Sequence, residues 1–236
     1  CRLGIITKGS GMIHPNMATM LTFITSDVAI APALLQRALR DEVKDSLNQI
    51  SIDGDTSTND MAVILANGAA GNAEIRDDGA AYQTFRAALH QLCAWAAREI
   101  ARDGEGATKL LHCRVRSARS PEVARNVAKS IIASDLFKAA MFGADANWGR
   151  VLCAVGYTAG DFSVADVALT LQSAAGAGKV CENSAYHPFS EDEAANVLAE
   201  KEIEILLDMH DGTAEAQAWG CDLTYDYVKI NGDYRS

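Results

Sequence analysis

The sequence predicts a mixed α/β fold, in which short strands alternate with longer amphipathic helices. Two stretches, residues 32–50 and 80–101, carry apolar side chains at helical spacing. Apolar runs of strand length flank these stretches, as at residues 3–7 and 62–66. With 236 residues, 49% of them hydrophobic, the chain can bury a sizeable core in one or two domains.

Further elements are predicted from local signals. An apolar run at residues 20–26 predicts a strand after the first Gly/Pro/Asn turn region, and the second half of the chain alternates in the same way. Its predicted elements are a helix that begins at Ser120-Pro121-Glu122 and ends by Gly143, strands at 151–157 and 164–171, a helix from the capping box Ser190/Glu193 to about Ala199, and a strand at 201–209 that turns through a hairpin at 210–213 into 214–224.

Composition excludes several classes of protein. A net charge of -10 argues against a nucleic-acid partner, which would require a clustered basic surface. No apolar run reaches the roughly 18 residues that span a bilayer, so no membrane partner is expected. The cysteines lack a C-x-x-C pair and a metal-ligand spacing, which predicts reduced, mostly buried thiols in a cytoplasmic protein. They are Cys1, Cys93, Cys113, Cys153, Cys181 and Cys221. The sequence indicates no metal and no organic cofactor.

The most informative stretch is residues 8–20, which read K-G-S-G-M-I-H-P-N-M-A-T-M. It places the small residue Ala18 directly before Thr19. If the Ala18–Thr19 bond were cut, the hydroxyl and the freed amine of Thr19 would form a nucleophile and base within one residue. The simpler alternative is a threonine in a strand, where threonine is common. His14 could tune such a cleavage.

Three other features have competing interpretations. Residues 53–60 (D-G-D-T-S-T-N-D) suggest a calcium loop, but glycine is absent at position six and Ile64 replaces the glutamate at position twelve. We therefore interpret them as a polar turn whose side chains bind backbone groups near the site. Lys109 and Lys138 could lie near an anion, but we interpret both as surface lysines.

Five blocks of sequence together resemble the ornithine acetyltransferase (bifunctional glutamate N-acetyltransferase) family. They are residues 8–21, 52–60 with 66–68, 103–109 (D-G-E-G-A-T-K), 142–150 (F-G-A-D-A-N-W-G-R) and 226–236. The resemblance covers essentially the whole chain. It implies a DmpA-like mixed αββα sandwich with a smaller α+β C-terminal domain. We place the boundary near residues 117–120, so that residues 1–118 belong to the sandwich and 119–236 to the second domain.

The resemblance also implies a mechanism. The precursor would cleave itself at Ala18–Thr19, leaving residues 1–18 as the tail of an α chain and 19–236 as a β chain. Thr19 would take the acetyl group of N2-acetyl-L-ornithine as an ester and pass it to L-glutamate in a ping-pong cycle. The amine of Thr19, with an ordinary pKa of about 7.7–8.0, could accept the hydroxyl proton. The implied substrate-binding residues are Lys8, Thr19, Glu105, Asn231 and Ser236.

Part of the implied active site lies outside this sequence. The family's oxyanion hole is a Thr-Gly pair in the α chain, and no residue here can be assigned to it. The resemblance further implies an α2β2 heterotetramer or a larger oligomer, and it leaves open whether acetyl-CoA is a co-substrate. Two alternatives stay open at this point: an N-terminal-nucleophile amidohydrolase or aminopeptidase, in which water takes the acyl group, and a non-catalytic paralogue.

Overall fold

The computed structural model describes residues 1–15 and 20–233. Ala18, Thr19 and Ser236 lie outside the described residues. The elements in chain order are β1 (Leu3–Lys8), β2 (Leu21–Ser26), α1 (Pro32–Lys44), a 3-10 turn (Leu47–Gln49), β3 (Ile50–Ser51), β4 (Met61–Ala66), α2 (Ala80–Arg102), β5 (Leu110–Ala118), α3 (Pro121–Ala133), α4 (Asp135–Phe142), α5 (Trp148–Gly156), β6 (Ala168–Ser173), β7 (Gly176–Glu182), β8 (Ala185–Tyr186), α6 (Glu191–Leu198), β9 (Glu202–Asp208), β10 (Ala214–Cys221) and α7 (Tyr225–Asp233).

The first sheet has the strand order β1-β2-β4, with β1 antiparallel and β4 parallel to the central β2. Along β2 the side chains of Thr22, Ile24 and Ser26 are buried, whereas those between them are exposed. This alternation follows from the two-residue period of a strand. The buried face belongs to a core that includes Phe85 and Leu89 of α2.

The second sheet has the order β3-β10-β5-β9-β6-β7-β8 and mixes parallel with antiparallel pairs. Helix α3 packs against β5 and β10. Gly220 allows this approach, because a Cβ there would lie 3.2 Å from Ile132 Cβ on α3. Trp219 and Cys221 belong instead to the core built around α2. Helix α2 contacts β1 of the first sheet and β5 and β10 of the second, so it joins the two sheets.

Several predicted helix starts are confirmed. The hydroxyl of Ser120 accepts a hydrogen bond from the Val123 N–H at the start of α3, and Ser190 does the same for the Glu193 N–H at α6. The single helix predicted to end by Gly143 is two helices. Ser134 has an extended backbone that ends α3, and its side chain caps α4.

Two predicted elements are wrong, and one predicted helix is too long. Residues 151–156 belong to α5 rather than to a strand, because Asn147 caps a helix that buries Val151, Ala154 and Val155 at helical spacing. The helix predicted over 32–50 ends at Lys44, since residues 50–51 pair with β10. The predicted hairpin at 210–213 is absent, because β5 lies between β9 and β10.

The predictions for the cysteines and for residues 201–209 agree with the structure in most respects. Four cysteines are buried, as predicted, but Cys1 and Cys153 are exposed. The strand predicted at 201–209 is β9, and its Ile203, Ile205 and Leu207 point into the core. In the described part of the chain, no helix has the length and hydropathy needed to cross a membrane. The domain boundary near residues 117–120 stays a prediction.

Candidate active site

The Asp103–Lys109 turn lies against the chain just upstream of the predicted cleavage point. The Glu105 N–H donates to the Ser10 carbonyl at 3.0 Å, and the Ser10 hydroxyl donates to the Asp103 carbonyl at 3.0 Å. The Glu105 carboxyl group packs onto Gly11, where a Cβ would lie 2.5 Å from Glu105 Cδ. Glycine at position 11 therefore makes room for the Glu105 carboxylate.

Asn231 on α7 reaches the same carboxylate. Its Nδ2 donates to Glu105 Oε2 at 3.0 Å and to the Tyr227 carbonyl at 3.1 Å within the helix. The start of α7 sits on Gly106, which has a positive φ of 67° and whose added Cβ would lie 2.5 Å from Tyr227 N. Thr224 secures this junction, because its hydroxyl donates to the Gly106 carbonyl at 2.7 Å. Two predicted substrate-binding residues, Glu105 and Asn231, are thus in direct contact.

Asp53 organises residues 9–15, which we call the upstream arm. Its carboxylate accepts hydrogen bonds from Met12 N at 2.6 Å and from Ile13 N at 3.0 Å. The Tyr227 hydroxyl donates to Asp53 at 3.2 Å, which links the arm to α7. Thr56 donates to the carbonyl of His14 at 3.0 Å. The prediction that residues 53–60 form a polar turn that binds nearby backbone is confirmed.

The site has a negative electrostatic character. Burial raises the pKa of the Tyr227 hydroxyl, and the neighbouring carboxylates of Asp53, Asp55 and Glu105 raise it further. Burial disfavours charge of either sign, whereas the three carboxylates disfavour a further anion and attract a cation. These carboxylates favour a ligand that carries an ammonium group.

Contacts also hold both ends of the segment that contains the predicted cut. Upstream, Lys129 Nζ of α3 donates to the Pro15 carbonyl. Downstream, the Met20 N–H donates to Asp60 Oδ1, and the Met61 N–H donates to the Met20 carbonyl at 2.8 Å. Sequence reasoning missed Lys129 and Asp60 as neighbours of the cut. Asp60 ends a block of the family resemblance, but nothing in the sequence indicates the partner of Lys129.

Lys8 is exposed at the end of β1. It pairs in register with Leu21, two residues after Thr19 in the sequence. It also lines a shallow cavity of about 430 Å³ together with Trp95, Glu99 and Asp103. Lys8 therefore lies next to the same loop that presents Glu105.

The lysines interpreted as surface residues differ from that expectation. Lys138 is buried, with 1% of its surface exposed, and its Nζ donates to the Ile52 carbonyl beside Asp53. It is a buried structural donor, so the surface interpretation is wrong. Lys109 is half-buried, and its Nζ donates to the Met141 carbonyl at 2.6 Å at the C-terminal end of α4, where a cation is favoured.

A buried aspartate that the sequence did not single out supports the Glu105 turn. Asp222 is 3% exposed and accepts hydrogen bonds from Thr108 N at 2.8 Å and from Lys109 N at 2.9 Å. It follows β10, so the turn is fixed by a residue more than a hundred positions away in sequence. Within residues 1–15 and 20–233, no cluster of three or more His, Cys, Asp or Glu side chains could hold a metal ion.

His14 is partly buried beside the predicted cut. Its Nδ1 is 3.0 Å from the Ser51 hydroxyl. The pKa of His14 is lowered to about 4, mainly by burial and also by the nearby Lys129 ammonium, while Asp53 opposes both. His14 is therefore neutral near pH 7. Its role in cleavage stays a prediction.

The five motif blocks form one connected region. The Lys8–Gly11 stretch, the Asp53 turn, the Glu105 turn and α7 are joined by the hydrogen bonds above. The fourth block joins through the Lys109 ammonium, which donates to the Phe142 carbonyl at 3.4 Å, and through the edge-on contact of Phe142 with Tyr225, whose ring centroids are 5.5 Å apart. Of the predicted site residues, Lys8, Glu105 and Asn231 lie in this region; Ala18, Thr19 and Ser236 lie outside the described residues.

Comparisons with known proteins agree over the whole length. Residues 1–236 match the ArgJ family model. The chain is 52% identical over 236 residues to the arginine biosynthesis bifunctional protein ArgJ of Symbiobacterium thermophilum, covering 99% of this chain and 57% of that protein. It is 47% identical over 234 residues to the protein of the same name from Bacillus subtilis, again covering 99% and 57%.

A solved structure shares the fold. The crystal structure of the arginine biosynthesis bifunctional protein ArgJ from Bacillus halodurans superposes with a TM-score of 0.86 at 42% identity, covering 92% of this chain and all of that chain. The predicted fold class is therefore confirmed as a mixed α/β fold with two mixed sheets. The chain spans 57% of the length of these curated relatives.

Proposed function

Because the chain belongs to the ArgJ family, we propose that the protein containing it is an acetyltransferase of arginine biosynthesis. It would move an acetyl group from N2-acetyl-L-ornithine to L-glutamate. One observation supports this proposal most: Glu105 contacts both Asn231 and Ser10 of the segment that precedes Thr19 in the sequence. The curated relatives are named as arginine biosynthesis bifunctional proteins, which supports the same pathway.

The charges of the region suit an amino-acid substrate. The Glu105 carboxylate would bind a substrate ammonium, and the Asn231 amide would share the hydrogen bonds of that pair. Lys8 would bind the α-carboxylate of the substrate. The surrounding negative potential, to which Asp53 and Asp55 contribute, would favour acetylornithine because its side chain carries a free ammonium group.

Thr19 would act as nucleophile after self-cleavage. In the cleavage, its hydroxyl oxygen adds to the Ala18 carbonyl carbon, the C–N bond breaks as the hydroxyl proton passes to nitrogen, and water hydrolyses the resulting ester. In the first half of the transfer, the free amine of Thr19 accepts the hydroxyl proton while the oxygen attacks the acetyl carbon. The amide C–N bond breaks, and the proton passes to the leaving ornithine nitrogen.

The second half reverses these roles. The uncharged α-amine of glutamate attacks the acetyl-threonine ester, the ester C–O bond breaks, and the proton lost by nitrogen returns to the Thr19 oxygen. N-acetylglutamate leaves, and the enzyme is restored. Water must be excluded during the exchange, because it would hydrolyse the ester.

The proposal includes partners that this chain does not contain. An α chain would supply the oxyanion hole, whose donors are typically worth about 3–4 kcal/mol of barrier. An α2β2 heterotetramer or larger assembly, the use of acetyl-CoA as a second acetyl donor and a cytoplasmic location are further parts of the proposal.

Mass spectrometry of the full-length protein with N-acetylornithine tests it. We expect a polypeptide that begins at Thr19 and gains one acetyl group on its N-terminal peptide. Glutamate should discharge this ester, whereas buffer alone should do so slowly. Rapid discharge by water would support the amidohydrolase alternative, and absence of both cleavage and acetylation would support a non-catalytic paralogue.

Thr19→Ala should abolish cleavage and acetyl capture. A matched control is Thr84→Ala, since Thr84 is exposed on α2 and its hydroxyl bonds only to the preceding helical turn, at the Ala80 carbonyl. Turnover of substrate by an intact, unmodified chain would contradict the mechanism.

A further inference from the structure

We propose that Lys129 and Asp60 are positioning residues for self-cleavage, which hold the two ends of the segment that contains the Ala18–Thr19 bond. This inference rests on the proposed function, because it requires that bond to be the cleavage site. Neither residue touches the reacting atoms in the proposal. They act by fixing Pro15 on one side and Met20 on the other.

The upstream end is fixed from a distant part of the chain. Lys129 is half-buried on α3, whose Val127 and Ile131 belong to one core, whereas Ile13 of the arm belongs to the other. Its ammonium donates to the Pro15 carbonyl, 114 residues away in sequence. Pro15 is buried and has no N–H of its own, so its carbonyl is the only backbone hydrogen-bonding group there.

The downstream end is fixed by two adjacent residues at the start of β4. Asp60 Oδ1 accepts the Met20 N–H, and the Met61 N–H donates to the Met20 carbonyl at 2.8 Å. The Met20 side chain is buried, with 3% of its surface exposed. Both backbone groups of Met20 and its side chain are therefore held, one residue downstream of Thr19 in the sequence.

The two residues also influence each other. Burial lowers the pKa of Lys129 and the Asp60 carboxylate opposes that shift, which leaves the pKa at about 8. Burial raises the pKa of Asp60, and the hydrogen bond from the Met20 N–H and the charge of Lys129 oppose that shift. The second oxygen of Asp60, Oδ2, is buried and has no hydrogen-bond partner among the described residues.

Anchoring Pro15 and Met20 on either side of the bond would accelerate its cleavage. Attack by a side-chain oxygen on the preceding carbonyl requires a narrow geometry, and an anchored segment reaches it more often than a free one. Four residues separate the two anchors, Pro15 and Met20. With so short a span, the loss of either anchor would widen the set of accessible conformations.

The test follows cleavage of the full-length precursor with time during cell-free synthesis, separating precursor from products on denaturing gels. We expect Lys129→Met and Asp60→Ala to slow cleavage at least tenfold. Lys129→Arg and Asp60→Asn should restore most of the rate, since arginine keeps a cationic donor and asparagine keeps an acceptor for the Met20 N–H. Lys201→Met and Asp192→Ala, at exposed positions, are the matched controls.

The outcomes separate this inference from the proposed function. If the wild type does not cleave at Ala18–Thr19, the proposed function and this inference both fail. If the wild type cleaves and Lys129→Met and Asp60→Ala match its rate, only the inference fails. A purely structural role is tested by measuring the melting temperatures of Lys129→Met and Asp60→Ala in the uncleavable Thr19→Ala protein. The proposal would be overturned if these substitutions lowered the melting temperature and if Lys129→Arg and Asp60→Asn failed to restore the cleavage rate.

Discussion

The upstream arm (residues 9–15) and strand β2 lie on opposite sides of the predicted cut and are held in different ways. β2 is the central strand of its sheet, with β1 and β4 on either side, and Ile24 is fully buried. The arm is not part of either sheet. Its backbone groups are bonded instead by side chains from distant parts of the chain, such as Asp53, Thr56 and Lys129.

Because of this difference, β2 contributes mainly to the stability of the protein, whereas the arm contributes mainly to the geometry of the site. In β2 the ladder satisfies the backbone, so the side chains are free to pack, and burial provides the stability. In the arm several backbone groups are bonded by single side chains, those of Asp53, Thr56 and Lys129, so one substitution can remove the bond that places such a group. We therefore expect mutations in β2 to lower the stability of the whole protein and mutations around the arm to impair chemistry at the site.

The largest effect on stability is expected for Ile24→Ala. Because Ile24 is fully buried in the core below the first sheet, the substitution should cost about 3 kcal/mol of unfolding free energy. Urea unfolding of the full-length protein in the Thr19→Ala background would measure it. Thr25→Ala, on the exposed face of the same strand, is the control and should change stability by less than about 0.5 kcal/mol. Similar losses for the two variants would contradict the role assigned to β2.

A smaller and more local effect is expected for Asp53→Ala. This variant removes the acceptors of Met12 N and Ile13 N, which should cost about 2 kcal/mol of local stability. Hydrogen exchange of those two amides should then accelerate about 30-fold. Asp55→Ala is the matched control, since Asp55 is exposed and accepts none of the arm's bonds described above. Unchanged protection in Asp53→Ala would show that other contacts hold the arm.

Local signals in the sequence were sufficient for many elements but not for their arrangement. Ser120 and Ser190 marked helix starts correctly because a capping hydroxyl acts on its own next turn. The strand predicted at 151–157 failed because an apolar run of that length fits a buried helix equally well. The hairpin at 210–213 failed because the position of β5 between β9 and β10 is a tertiary property.

The candidate site shows the same limit. The family resemblance singled out Glu105 and Asn231, but their contact joins residues 126 positions apart, and no local pattern encodes it. Lys129 and Asp222 carried no signal at all, because each acts through backbone contacts that only the folded chain creates. Lys138 was misjudged since lysines are rarely buried without a partner, and its partner is a backbone carbonyl that the sequence cannot indicate.

Gly11→Ala should change the free energy of substrate binding by less than Asp53→Ala changes the local stability of the arm. The new Cβ would push against the Glu105 carboxyl group, 2.5 Å from Cδ, and displace it from the substrate ammonium. We expect the KM for N-acetylornithine to rise about tenfold, equivalent to about 1.4 kcal/mol. Gly178→Ala is the control, because nothing lies within 4 Å of a Cβ there. An unchanged KM would argue against Glu105 as the substrate-binding carboxylate.

The smallest expected effect is a dependence of stability on pH, which His14 gives to the arm and which β2 lacks. The pKa of folded His14 is lowered to about 4, below its ordinary value of 6.5. The unfolded chain therefore binds a proton before the folded chain does as the pH falls. The contribution of neutral His14 to stability is complete above pH 6.5 and is lost progressively towards pH 4.

His14→Gln should remove this loss. Because His14 is only partly buried, solvent screening keeps the effect small. We expect the melting temperature of His14→Gln, relative to that of the wild type at the same pH, to rise by about 2 °C as the pH falls from 7.5 to 5. Both proteins would carry Thr19→Ala, so that the acid sensitivity of all other groups cancels in the difference. The same comparison for Ile24→Val should show no dependence on pH, since β2 is held by packing and has no titratable side chain. Equal pH dependence in the two variants would remove the distinction between a strand held by its ladder and an arm held by polar side chains.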